Sequence, residues 1–108
     1  MDLHINGKVA LVTGGASGIG EKTAEFFVQE GVKVLVTDVN RERIEKTVAS
    51  LKEMGGEVRG IPCDVTQEEQ VSRMVAEARA HFGTIDFLVN SAGIGGGMIP
   101  LETAKRQD

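Results

Sequence analysis

Apolar and polar positions along the chain follow two alternating rhythms. Short, nearly continuous apolar runs occur at Lys8 to Thr13 (KVALVT), Lys33 to Asp38 (KVLVTD) and Ile85 to Asn90 (IDFLVN). Runs of this length, rich in Val, Ile and Leu, read as strands whose two faces are both covered. A weaker run, Glu57 to Cys63 (EVRGIPC), has a proline near its end and suits a sheet edge. Between the runs the period changes to that of helices. Ile19 to Glu30 turns Ala24, Phe27 and Val28 toward a core and stops at Gly31. Arg41 to Met54 places Ile44, Val48 and Leu51 on one face, with Asn40 as N-cap and Gly55-Gly56 as the stop. Gln67 to Phe82 carries a stripe of Val71, Met74, Val75, Ala78 and Phe82 and ends at Gly83. Thr66 and Glu69 have the spacing of a capping box at its start.

The element order is therefore βαβαβαβ, an α/β fold with a parallel sheet and helical crossovers. No internal repeat, low-complexity segment or linker interrupts it. After Gly93 the composition changes, and Gly95, Gly96 and Gly97 run together. The reading thus divides the chain into a folded unit over 1–93 and a glycine-rich tail over 94–108, expected to be loop or disordered.

The first strand leads into Thr13-Gly14-Gly15-Ala16-Ser17-Gly18-Ile19-Gly20, where a helix opens at once. A helix N-terminus offers unpaired N–H groups and the positive end of its dipole, which together seat a phosphate. Glycines let the backbone approach that anion closely. The spacing is G-x-x-x-G-x-G, neither the common dinucleotide fingerprint nor a Walker loop, since no Lys follows the last Gly. Glycine-rich turns also end strands for structural reasons alone, so position elsewhere has to decide. Asp38, at the end of the second strand, lies where a dinucleotide fold needs an acid for the adenosine ribose hydroxyls. Its charge would repel a 2′-phosphate, favouring NAD over NADP. The competing roles are a cap for the next turn at Asp38, and a turn residue before Thr66 at Asp64. Arg41 and Arg43 are close enough in sequence to reach a phosphate and argue the other way.

Composition narrows the partners. The 108 residues are 41% hydrophobic and 26% charged, with a net charge of −4, which argues against a nucleic-acid footprint or an anionic membrane partner. There is no apolar leader at the N-terminus and no run of membrane-spanning length. Cys63 is the single cysteine, so no internal disulfide forms and a reducing, cytoplasmic setting is expected. With no histidine beside it, Cys63 reads as a small buried hydrophobe. His4 and His81 are isolated, so no metal site is expected.

Together, VTGGASGIG at Val12 to Gly20, the strand-end Asp38, CDV at Cys63 to Val65 and NSAG at Asn90 to Gly93 resemble the short-chain dehydrogenase/reductase family, from about Gly7 to Leu101. The resemblance implies a Rossmann-like sheet and hydride transfer between a nicotinamide and an alcohol or carbonyl, with a small alcohol or ketone as substrate. It implies that Gly14, Gly18 and Gly20, with the backbone of Ser17 and Ile19, cradle the pyrophosphate. Asp38 would hold the adenosine ribose, while Asp64 and the Val65 backbone would read the adenine edge. Asn90, Ala92 and Gly93 would close the pocket beside the ribose. Ser91 stands where the family more often has a second Asn. The family's general acid/base is a Tyr, assisted by a Lys four residues on and by an upstream Ser, all beyond the fifth strand. No Tyr occurs in these 108 residues, and the chain is read as stopping before a fifth strand, so no catalytic residue is assigned.

Right-handed crossovers with strand order 3-2-1-4 would put the first two helices on one face and the third alone on the other. That leaves an apolar patch beside the fourth strand, expected to exceed the ~400 Å² a monomer tolerates. The fourth strand itself would be a bare edge. The chain is thus expected to bind NAD(H) without turning over alone. The alternative is a non-catalytic nucleotide-binding or interaction module that pairs with another chain, including a copy of itself, through that edge.

Overall fold

Four of the apolar runs form one parallel sheet in the computed structural model, which describes residues 5–14, 16, 18–90 and, as backbone, 98–100. In chain order the elements are β1 (Val9–Thr13), α1 (Gly18–Gln29), β2 (Lys33–Asp38), α2 (Arg41–Glu53), β3 (Val58–Pro62), α3 (Glu68–Phe82), β4 (Phe87–Asn90) and β5 (Met98–Pro100). The sheet order is β3-β2-β1-β4-β5. β1 is central, pairing in parallel with β2 from Val9↔Lys33 to Thr13↔Thr37 and with β4 from Ala10↔Phe87 to Thr13↔Asn90. Every residue of β1 is buried, as its unbroken apolar run requires.

The crossovers place the helices as handedness demands. Ala24, Phe27 and Val28 of α1 and Ile44 and Leu51 of α2 pack with Ala10, Val12, Val34 and Val36 on one face. Met74 and Ala78 of α3 pack with Leu11 and Leu35 on the other. α2 lies so close to edge strand β3 that a Cβ on Gly60 would collide with Cγ2 of Ile44 and sit 2.9 Å from Cγ2 of Val48. Glycine there is a packing requirement.

The helix ends match the sequence in two places and differ in one. Asn40 caps α2, its side-chain oxygen accepting from the Arg43 N–H at 3.0 Å. Gly83 ends α3 in the left-handed region, with φ 87° and its N–H donating to the Arg79 carbonyl at 2.7 Å. The capping box expected from Thr66 and Glu69 does not form. The N-cap of α3 is Gln67, which makes no side-chain cap bond. The Thr66 hydroxyl donates instead to Asp64 Oδ1 at 2.7 Å, a nearer acceptor.

The other correction is at the expected bare edge. β4 is covered by β5, antiparallel, with Phe87↔Pro100, Leu88↔Ile99 and Val89↔Met98 in register. Met98–Pro100 falls in the stretch read as loop and adds a fifth strand that the sequence reading lacked. An apolar strand with unpaired N–H and C=O groups recruits whatever backbone is at hand, and an antiparallel neighbour needs no crossover helix. On the α3 face, where an apolar patch was expected, a groove of about 200 Å³ opens between Val71 and Val75 of α3 and Leu88 of β4. Among the described residues no helix is long and apolar enough to cross a membrane.

Candidate cofactor site

All four parallel strands end at one edge of the sheet. Thr13, Asp38, Pro62 and Asn90 close β1, β2, β3 and β4 there. Between β1 and β4 the strand order reverses, and in open α/β sheets such a switch point leaves a crevice outside the strand ends. It is bridged at its floor, where the Thr13 hydroxyl donates to the Val89 carbonyl at 3.3 Å and lies 3.1 Å from Asn90 Oδ1.

The turn after β1 carries the backbone freedom that its glycines supply. Gly14 has φ 67° and Gly18, at the first residue of α1, has φ 44°. A Cβ added at Gly18 would meet nothing within 4 Å, so the helix start faces open space. Gly20 is buried in the first turn, and Ile19 between them is 78% exposed. No Lys or Arg occurs from Gly14 to Gly20, so an anion here would depend on backbone N–H groups and the helix dipole.

Asp38 and Asp64 stand on neighbouring turns. Asp38 pairs with Pro62, and its carbonyl accepts from the Cys63 N–H at 2.9 Å. Its Oδ1 accepts from the Val39 N–H at 2.7 Å and the Asn40 N–H at 3.2 Å. Asp64 Oδ1 accepts from the Thr66 hydroxyl and N–H, and those two bonds, the hydroxyl first, hold its carboxyl below the usual carboxylate range. In each acid the turn-capping role is thus filled by Oδ1. Oδ2 takes no hydrogen bond among the described residues. Val65 follows, 39% exposed.

Of the residues singled out in the sequence, Gly14, Gly18, Ile19, Gly20, Asp38, Asp64, Val65 and Asn90 belong to the strand ends and turns of this one edge. Ser17, Ala92 and Gly93 lie outside the described residues. The sequence reading missed Val39, 70% exposed between the Asp38 carboxylate and the α2 cap. An apolar residue straight after a strand-end acid was its only signal. Arg41, one of two bases raised against NAD, lines a groove of about 470 Å³ beside β3 with Arg59 and Arg73. Arg43 has its backbone N–H tied to Asn40. Cys63 is buried, and burial first of all pushes its thiol pKa up; the Thr37 hydroxyl opposes this and the Asp64 charge adds to it. The Thr37 approach falls short of hydrogen-bond geometry, leaving that buried hydroxyl unpartnered among the described residues. No cluster of metal-ligating side chains occurs among the described residues.

The family profile described as short chain dehydrogenase matches residues 8–108. The chain belongs to the short chain dehydrogenase family. D-threitol dehydrogenase of Mycolicibacterium smegmatis is 41% identical over 99% of this chain and 41% of its own length. The 7alpha-hydroxysteroid dehydrogenase of Escherichia coli strain K12 is 36% identical over 94% of this chain and 39% of its own. Among solved structures, a short chain dehydrogenase from Mycobacterium smegmatis superposes with TM-score 0.81 at 39% identity, covering 89% of this chain and 42% of that one. An NAD+-bound xylitol dehydrogenase superposes with TM-score 0.76 at 48% identity, covering 78% of this chain and 32% of that one. The chain therefore spans well under half the length of these short chain dehydrogenases. The parallel order 3-2-1-4 with alternating helices is the fold it shares with its structural neighbours.

Proposed function

We propose that this sheet edge binds NAD(H), as the nucleotide-holding part of an oxidoreductase acting on an alcohol or carbonyl. The observation that carries the reading is the Asp38 carboxylate. It keeps one oxygen free at the end of β2, beside a helix start whose Gly18 faces open space. That pairing suits a ribose diol on one side and a pyrophosphate on the other. Exposed Ile19, Val39 and Val65 would give the flat faces of the nucleotide apolar support. The NAD+-bound relative and the dehydrogenase names of the others support the same assignment.

A 2′-phosphate would meet the negative charge of Asp38, so NAD(H) is preferred over NADP(H). When bound, the dinucleotide supplies the hydride carrier. This chain's residues bind and orient its adenosine and pyrophosphate ends. The 108 residues hold no Tyr, so on their own they do not supply the family's general acid/base and do not turn over substrate.

The test is titration of the chain with NADH and NADPH, followed by nicotinamide fluorescence, in wild type and Asp38→Ala. Saturable binding that favours NADH by ~10-fold or more, with the preference lost in the variant, is expected. Equal preference in both proteins would remove Asp38 from the site.

A further inference from the structure

The start of α3 contains a hydrogen bond that helix capping alone does not explain. In a capping box the Gln or Glu at the third helical position reaches back to the N-cap amide. Gln70 holds that position relative to the N-cap Gln67. Its Oε1 passes over Gln67 and accepts from the Asp64 N–H at 2.9 Å. The Gln67 N–H is satisfied elsewhere, by the Asp64 carbonyl at 2.9 Å.

Asp64 is consequently held on three sides. Gln70 fixes its N–H, Gln67 fixes its C=O, and Thr66 fixes Oδ1 through two bonds of 3.0 and 2.7 Å. An unrestrained carboxylate in an exposed turn samples several rotamers and dihedrals, and each immobilised side chain costs entropy when a ligand arrives. Here that ordering precedes any ligand. Of the four acceptor and donor groups, only Oδ2 is left to meet a partner.

We infer that Gln70 is a positioning residue, which through the Asp64 N–H aims the free carboxylate oxygen at the amino group of an adenine seated against Val65. The inference rests on the NAD(H) reading above and adds to it the residue that sets base recognition. Gln70 touches no part of the cofactor itself; it acts through Asp64.

The test compares NADH with its reduced hypoxanthine analogue, which has an oxygen in place of the adenine amino group. Wild type is expected to prefer NADH by ~10-fold, the worth of a hydrogen bond to a charged acceptor. Gln70→Met removes the acceptor from an exposed helical position at nearly constant shape, and its preference should fall to within ~2-fold with the thermal midpoint unchanged. Gln70→Glu keeps an acceptor for the Asp64 N–H and should restore the preference. In the unliganded chain the Asp64 amide should exchange slowly in wild type and Gln70→Glu and quickly in Gln70→Met. An undiminished preference in Gln70→Met, or equal amide exchange in all three proteins, would overturn the positioning role while leaving NAD(H) binding intact. Failure of wild type to bind either dinucleotide would overturn the cofactor reading and this inference together.

Discussion

Asp38 and Asp64 are restrained by the same device on adjacent turns. Each turns Oδ1 back into its own following turn, Asp38 to the Val39 and Asn40 amides and Asp64 to the Thr66 amide and hydroxyl. The two turns are joined by the bond from the Cys63 N–H to the Asp38 carbonyl. A strand-end acid therefore caps its turn and still offers one oxygen outward. The structural and binding readings of these residues, which compete in the sequence, are compatible in the fold.

The Thr66 hydroxyl is the main cause of the depressed Asp64 pKa, with the Thr66 amide second. Thr66→Val should therefore raise the Asp64 pKa toward 3.8 without reaching it, because the amide bond remains. A pKa lowered by folding contributes stability that is present above the unfolded value and lost as pH falls through the folded one. Relative to wild type the variant should accordingly be less stable above about pH 4, and the difference should vanish as pH falls through the folded pKa. Carboxyl carbon shifts followed through an NMR titration would settle the point, and an unmoved Asp64 curve would refute the assignment.

Much of the architecture is legible in the sequence itself. β1 and β2 are buried on both faces, so their apolar runs are unbroken and hard to mistake. The apolar stripe of α3 and the Asn40 cap are equally local signals. What escaped the sequence depends on competition between groups. Thr66 and Glu69 have capping spacing, but Asp64 takes the hydroxyl and the helix starts one residue later, making Gln70 the third position. β5 is a three-residue strand ending in Pro100, and only the open side of β4 makes it one. The glycine turn and Asp38 were legible because their spacing follows strand ends. Val39 was not, because its exposure is a property of the turn.

Gly60 looks like a weak point in a strand and is in fact the place where α2 closes on the sheet. Gly60→Ala should destabilise the fold by about 1–3 kcal/mol, as overpacking does. Ile44→Leu removes the Cγ2 that the new Cβ would strike. The double variant should then lose less than the sum of the two single losses, as contacting residues do. Urea midpoints of the four proteins test this, and strict additivity would mean that the contact does not limit packing.

Cys63 is buried, and its thiol titrates above the ordinary value of 9.0. At pH 8 it should react with an aromatic disulfide reagent at least ~100-fold more slowly in the native protein than in urea, since both access and thiolate are suppressed. A pKa raised by folding contributes stability that is full below the unfolded thiol value and lost as pH rises through the folded one. Fast native labelling would show that the β3 end opens readily.

Amide chemical shifts of the 108-residue chain titrated with NADH test directly whether the dinucleotide sits at this one sheet edge. The expected shifts fall at Gly14, Gly18 to Gly20, Asp38 to Asn40, Asp64, Val65 and Asn90, all at one sheet edge. Shifts confined to the groove of Arg41, Arg59 and Arg73, or none at saturating NADH, would contradict it.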